Sequence, residues 1–295
     1  MVKKHNHKKN LFCNQYERLS YKQANIASEK YGAHVFSKVR VADCLDIDQL
    51  GLSRDGYRYA LSSHFDFVIF SEDYDVLFSI ECDGPQHWND PKVIKRDKIK
   101  NNICETGKLP LLRIDKTFLS TSAHISMLNF LIECWFLNES FKREKLIGNI
   151  SQDEPFDPIN LCSSDDSGPS KSLFDLINPV RRRIEKKHGW PPVKNTSITG
   201  HLTGKDRYDY CHGLFTVIGE VNTYGKGACR FYLFEPVPPE DLASIIAEHN
   251  MYLALEKILD GKSNSVKASD VEEVIFNHSK RIESNKNITE TILVQ

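Results

Sequence analysis

The chain has 295 residues, enough for one large domain or two modest ones with a full hydrophobic core. Its 40% hydrophobic and 27% charged shares are those of a soluble globular protein, and a net charge of -1 says little by itself, since a nucleic-acid binder would need local basic patches and the chain has some. No apolar run is long enough for a membrane span, and MVKKHNHKKN leads into no signal-like core, so a cytoplasmic chain without a membrane partner is expected. The 8 cysteines include no C-x-x-C pair, and Cys82 and Cys134 lie in apolar runs, which suits reduced thiols better than a disulfide framework.

In chain order, residues 1–10 form a basic tail, read as a solvated arm with nonspecific phosphate contact as the alternative. The spacing of Tyr16, Leu19, Ile26 and Ala27 predicts a helix from Asn14 to Lys30, with Glu17 in its first turn, where an acid suits the helix dipole. His34 to Val41 alternates as a strand does, and residues 43–60 read as a polar loop marked by Gly51, Ser53, Asp55 and Gly56.

Two apolar runs follow, each carrying acids where a core strand should have none: Asp66 in Phe65–Phe70, and Glu81 and Asp83 in Leu77–Asp83. Period-2 geometry puts Ser79, Glu81 and Asp83 on one face of the second strand, with its two carboxylates roughly 6–7 Å apart. Acids so placed are costly without a positive partner, and a hard divalent cation with oxygen ligands is the simplest one.

Gly84-Pro85 must stop that strand. Asp90 caps a helix with Pro91 at its first position, ending near Gly107, and Lys92, Lys95, Arg96, Lys98 and Lys100 make it basic, with Lys92, Arg96 and Lys100 spaced four apart. Leu109 to Ile114 reads as a short buried strand, and Ser122 to Phe141 as a helix with an apolar stripe.

Residues 149–171 turn to Ser, Asp and Pro and are read as a linker between domains at 11–148 and 172–295. Beyond it, Pro179 to His188 reads as a basic helix bearing Arg181, Arg182 and Arg183, either a solvated face or a phosphate-contacting one. Phe215–Val221 and Cys229–Val237 read as strands joined by the turn NTYGKGA, followed by helices from Pro238-Pro239-Glu240 to Asp260 and from Ser269 to Asn285. His201, Cys211, His212 and Cys229 match no strong zinc pattern. The C-terminal third is thus expected to be a small α+β unit.

The acids fit phosphodiester hydrolysis, which needs a metal to lower the pKa of a water, a proton carrier, and cations for the flanking phosphates. Asp66 and Glu81 would share one Mg²⁺ (or Mn²⁺) with a backbone carbonyl of the same strand. Asp83, Gln86 and His87 would serve water activation or the leaving group, and Arg96 with Lys92, Lys95 and Lys100 would hold the nucleic-acid backbone.

The run FDFVIF … IECDGPQH … RDKIKNNICETGKLPLLRI resembles the PD-(D/E)XK nuclease superfamily, and more closely its very-short-patch-repair-like branch and a related bacterial family of unknown function. The resemblance covers about residues 13–117. It implies an α/β restriction-endonuclease-like core with a mixed central sheet and a metal-dependent endonuclease acting on DNA. It makes Asp66 and Glu81 metal-binding acids, Asp83 the occupant of the usual motif-lysine position, His87 the histidine after the strand, Arg96-Asp97 the helix motif, and Glu17 an added metal-shell acid. The same company suggests mobile-element processing or defence against foreign DNA, with a helicase, ATPase or transposase partner and a homodimer as one arrangement. Against this stands a nuclease-like module that binds nucleic acid or a partner protein without cutting.

Overall fold

In a computed structural model, the described residues are 11–12, 14–84, 86–119, 121–122, 125–158, 160–161, 171–172, 177–189, 193–202, 207–216, 221–232, 234, 236–283 and 292–293. The basic arm and most of the expected linker lie outside them.

The N-terminal unit begins with α1 (Gln15–Glu29), whose start is fixed by Asn14, its side chain accepting from the Glu17 amide at 2.9 Å. Strand β1 (His34–Arg40) follows. The stretch expected to be loop instead forms two short helices, α2 (Val41–Cys44) and α3 (Arg54–Ser62). The turn residues misled here because Ser53 is a cap: its hydroxyl accepts from the Gly56 amide, and Gly56 and Ala60 are buried on the inner side of α3.

The acidic strands are β2 (His64–Phe70) and β3 (Val76–Cys82). After them come the single turn α4 (Gln86–Asn89) and α5 (Pro91–Thr106), the latter capped by Asp90 as its sequence predicts. Strand β4 (Leu111–Ile114) leads through a 3-10 turn at Lys116–Leu119 and a small ribbon, β5 (Thr121–Ser122) with β6 (Ile125–Ser126), to α6 (Met127–Leu146). The α6 helix starts later than expected because Ser126 caps it.

Strands β1, β2 and β3 pair antiparallel in sequence, and β4 returns parallel to β3 after α5. This is a mixed four-strand sheet. One face carries Phe67, Ile69, Phe78, Ile80, Leu112 and Ile114 against α1 and α6. The other packs Val68 and Leu111 with Ala60 of α3 and Ile103 of α5.

The C-terminal unit holds a short pair, β7 (Asn160–Leu161) with β8 (Lys171–Ser172), then α7 (Asn178–His188), β9 (Val193–Leu202), β10 (Arg207–Thr216), β11 (Asn222–Tyr232), α8 (Pro239–Leu259), α9 (Ala268–Glu283) and β12 (Ile292–Leu293). Strand β11 pairs antiparallel with β4, Arg230 opposite Arg113, so the sheet runs on as β1-β2-β3-β4-β11-β10-β9-β12.

The expected turn NTYGKGA lies inside β11, a correction with a clear cause. A Cβ on Gly225 would stand 2.2 Å from the Ala247 carbonyl, and one on Gly227 2.2 Å from that of Ala243, both on α8. These glycines let a helix lie directly on a strand. Strand β9 was not foreseen at all. Cys44, Cys82 and Cys104 are free thiols, and no helix among the described residues is long and apolar enough to cross a membrane.

Candidate metal and nucleic-acid site

The acids that interrupt β2 and β3 meet two lysines. Asp66 accepts from Lys38 Nζ at 2.6 Å through Oδ1 and from the Cys82 amide at 2.8 Å through Oδ2. Lys38 also stands 3.4 Å from Glu17, which α1 brings to the same place. Its backbone has φ of 57°, unusual for a residue with a side chain, at the point of β1 flanked by the Ser37–Phe67 and Val39–Phe65 pairs. One step deeper, Lys100 of α5 donates to Glu81 at 2.6 Å and to the His64 carbonyl at 2.9 Å, with its ammonium 5.4 Å above the Phe65 ring. Three carboxylates from α1, β2 and β3 are thus gathered with ammonium groups from β1 and α5.

Burial orders this cluster. The Lys100–Glu81 pair is inside, at 7% and 8% side-chain exposure, whereas Lys38 retains 29% and Asp66 18%. Desolvation pushes the Glu81 carboxyl above its ordinary range; the Lys100 charge opposes this and the Asp66 charge adds to it. Burial works against the Lys38 ammonium, yet the hydrogen bond and charge of Asp66 outweigh it and raise its pKa.

A second cluster adjoins the first. Arg113, fully inside β4 and paired in register with Glu81, donates to Asp83 at 2.8 Å and to Asn101 at 3.1 Å, and reaches Asp97 at 3.2 Å. His87 Nδ1 lies 2.9 Å from Asp97 Oδ2 and 3.3 Å from Asp83 Oδ1. Asp83, His87 and Asp97 each offer a ligand atom, all within 4.8 Å of one another, and this buried group could hold a metal ion.

Burial opposes the His87 imidazolium, but the bond to Asp97 and the charge of Asp83 prevail, so its pKa is raised. A raised folded-state value means stability present below about pH 6.5 and lost as pH climbs through the folded value. With a chelator present, His87→Ala should lose about 1 kcal/mol against wild type at pH 5.5, a charge-assisted bond discounted for screening. The gap should narrow by pH 9. Denaturant titrations at both values check this, and a gap that widens with pH would refute it.

The sequence-derived residues divide clearly. Glu17, Asp66 and Glu81 converge in the first cluster, and Asp83 and His87 in the second. Gln86 is exposed and folds over Gly84, where a Cβ would meet its Oε1 at 2.5 Å. Lys92, Lys95 and Arg96 are exposed on α5, while Lys100, grouped with them by spacing, points inward to Glu81. In α7, Arg183 pairs with Glu256 of α8 at 2.8 Å, Arg181 lies 5.4 Å over the Tyr252 ring, and Arg182 is exposed. Two of those three arginines therefore hold α7 to α8.

Sequence reasoning missed Lys38 and the direction of Lys100. It named Asp97 in the helix motif, without its pairing to His87 and Arg113.

The family described as "Protein of unknown function (DUF2726)" matches residues 8–128, less than half of the chain. No curated protein and no solved structure matches the chain. The matched segment runs from before α1 into α6 and contains every residue of both clusters, so the part of the chain that builds the site is the part that is similar to this family.

Proposed function

We propose that the chain is a metal-dependent nuclease that hydrolyses phosphodiester bonds of DNA. The observation that carries this reading is the convergence of Glu17, Asp66 and Glu81 with Lys38 and Lys100 at one end of the mixed sheet. The sheet supports it too: three antiparallel strands with a fourth parallel to the third make a mixed central sheet, which is what the PD-(D/E)XK resemblance implies.

The donor set is oxygen, which suits Mg²⁺ or Mn²⁺. Asp66 and Glu81, with Glu17 beside them, would hold the ion, which when bound would neutralise phosphoryl charge and acidify a water. Lys100 donates to Glu81, opposing the effect of burial on its charge, and fixes its rotamer. Lys38, the more exposed ammonium, supplies the positive charge toward the scissile phosphate that an acid at position 83 cannot. Arg113 locks Asp83 and Asp97, and Asp97 in turn holds His87 with a proton available for the departing oxygen. Lys92, Lys95 and Arg96 extend along the exposed side of α5, placed for the flanking backbone. A role in defence or mobile-element processing, beside a helicase, ATPase or transposase, remains part of the proposal.

The alternative, a nuclease-like module that binds without cutting, is favoured by one observation: Lys38 already satisfies Asp66 at 2.6 Å. Incubating supercoiled and linear DNA with Mn²⁺ separates the readings. Wild type should nick or cut, and Glu81→Ala should lose at least about 100-fold. Equal activity in both proteins would remove Glu81 from the chemistry, and binding without cutting in both would select the module.

A further inference from the structure

Beside the carboxylate cluster, on the outer side of β1, lies an open groove of about 600 Å³ that reaches the candidate site at Lys38. Among the described residues β1 is the terminal strand of the sheet, so this side has no strand neighbour. The groove is lined by Phe36, Phe70 and Tyr74 at one part and by Lys38, Arg40 and His64 at another. Phe36 is 44% exposed and Tyr74 62% exposed, unusual for rings set so close together. Their centroids are 6.3 Å apart, and Phe36 meets the half-buried Phe70 ring in a T-shaped contact at 5.3 Å. His34 stacks on Tyr74 at 4.9 Å and 11°, bracing that ring from behind.

The rings are therefore fixed, yet keep faces open to solvent. Phe36, Lys38 and Arg40 lie in that order along β1 and all line the groove, aromatic first and cations next. Lys38 is also the residue that binds Asp66, so the groove opens directly onto the candidate site. Asp43 orients Arg40 through a bond of 2.5 Å while leaving it 45% exposed.

An aromatic platform followed by a row of cations is what a strand with unstacked bases requires, since every base has a face to stack and a phosphate to neutralise. A duplex hides those faces inside its own stack and would gain nothing from Phe36 or Tyr74. We propose that this groove is a docking track for unpaired nucleic acid, with a base on Phe36 and Tyr74 and its neighbouring phosphates on Lys38 and Arg40. Resting on the nuclease reading, this makes the substrate class single-stranded DNA or a duplex with an unpaired arm.

The test is fluorescence anisotropy in the presence of a chelator, with labelled oligothymidylate and a blunt duplex as probes, on wild type and Phe36→Ala/Tyr74→Ala. Both rings are exposed, and unchanged thermal melting would show that the variant folds. Its affinity for oligothymidylate should fall at least about tenfold, with duplex binding little altered. Equal affinity in both proteins, no oligothymidylate binding by wild type, or an equal loss on both probes would overturn the proposal. So would a change in solution mass with unchanged affinity, which would make the face a contact between copies. Because no cleavage is read, failure of the Glu81→Ala experiment would leave this result standing.

Discussion

Replacing Arg113 with methionine should destabilise the protein by about 3–5 kcal/mol, the cost of stripping the partner from buried charges. The side chain is 1% exposed and sits between Asp83 and Asp97, exposed 2% and 6% at their side chains. Methionine fills similar volume, so packing is largely kept and the loss is electrostatic. Without the guanidinium, both carboxyls are pushed above their ordinary range by desolvation and mutual repulsion. A raised carboxyl carries no penalty below the unfolded pKa of about 4 and an increasing one as pH rises through its folded value. The deficit should therefore be small near pH 4 and largest above neutrality. Denaturant unfolding from pH 4 to 8 reads both size and slope. A loss under about 1 kcal/mol at pH 8 would mean that the cluster relaxes into water and that Arg113 is no keystone. Because β4 lies between β3 and β11, the variant also tests whether the two halves of the sheet unfold together.

Much of the N-terminal fold was legible because the chain punctuates it. Asn14, Asp90-Pro91 and Gly107 mark helix ends, and the acids stand out because nothing apolar excuses them. The spacing of Lys92, Arg96 and Lys100 suggested one basic face, but each four-residue step turns a helix by about 40°, so Lys100 lies about 80° round from Lys92. That rotation is enough to carry it from solvent to Glu81. Arg113 was visible as a charge within LPLLRI, yet its pairing to Asp83 and Asp97 depends on the parallel register of β3 and β4, which is nonlocal. Gly225 and Gly227 were read as a turn because local sequence cannot distinguish a glycine that frees φ from one that makes room for a helix. Lys38 left no signal: on an edge strand a lysine is ordinary, and only the φ of 57° and the meeting with Asp66 make it otherwise.

That residue carries the last expected result. Lys38→Met should lower Mn²⁺-dependent turnover by about 10²–10³-fold, the usual cost of removing one preorganised charge from a developing oxyanion. It should nevertheless keep, or enlarge, the thermal stabilisation given by Mn²⁺, since a competing cation has been taken from Asp66. Lys38→Gly should lose the same activity. Relative to methionine it should regain about 1 kcal/mol of stability, because glycine adopts a positive φ without the Cβ penalty. Strain held at a site for function has this signature: turnover lost equally in both variants, and stability regained only in the one that accepts a positive φ. A purely structural Lys38–Asp66 pair gives another pattern: both variants less stable, and cleavage by the folded fraction unchanged. Turnover per folded molecule, measured beside melting temperature with and without Mn²⁺, distinguishes the two patterns. Wild-type turnover in Lys38→Met would return Lys38 to the scaffold and leave the phosphate-facing charge to be found on α5.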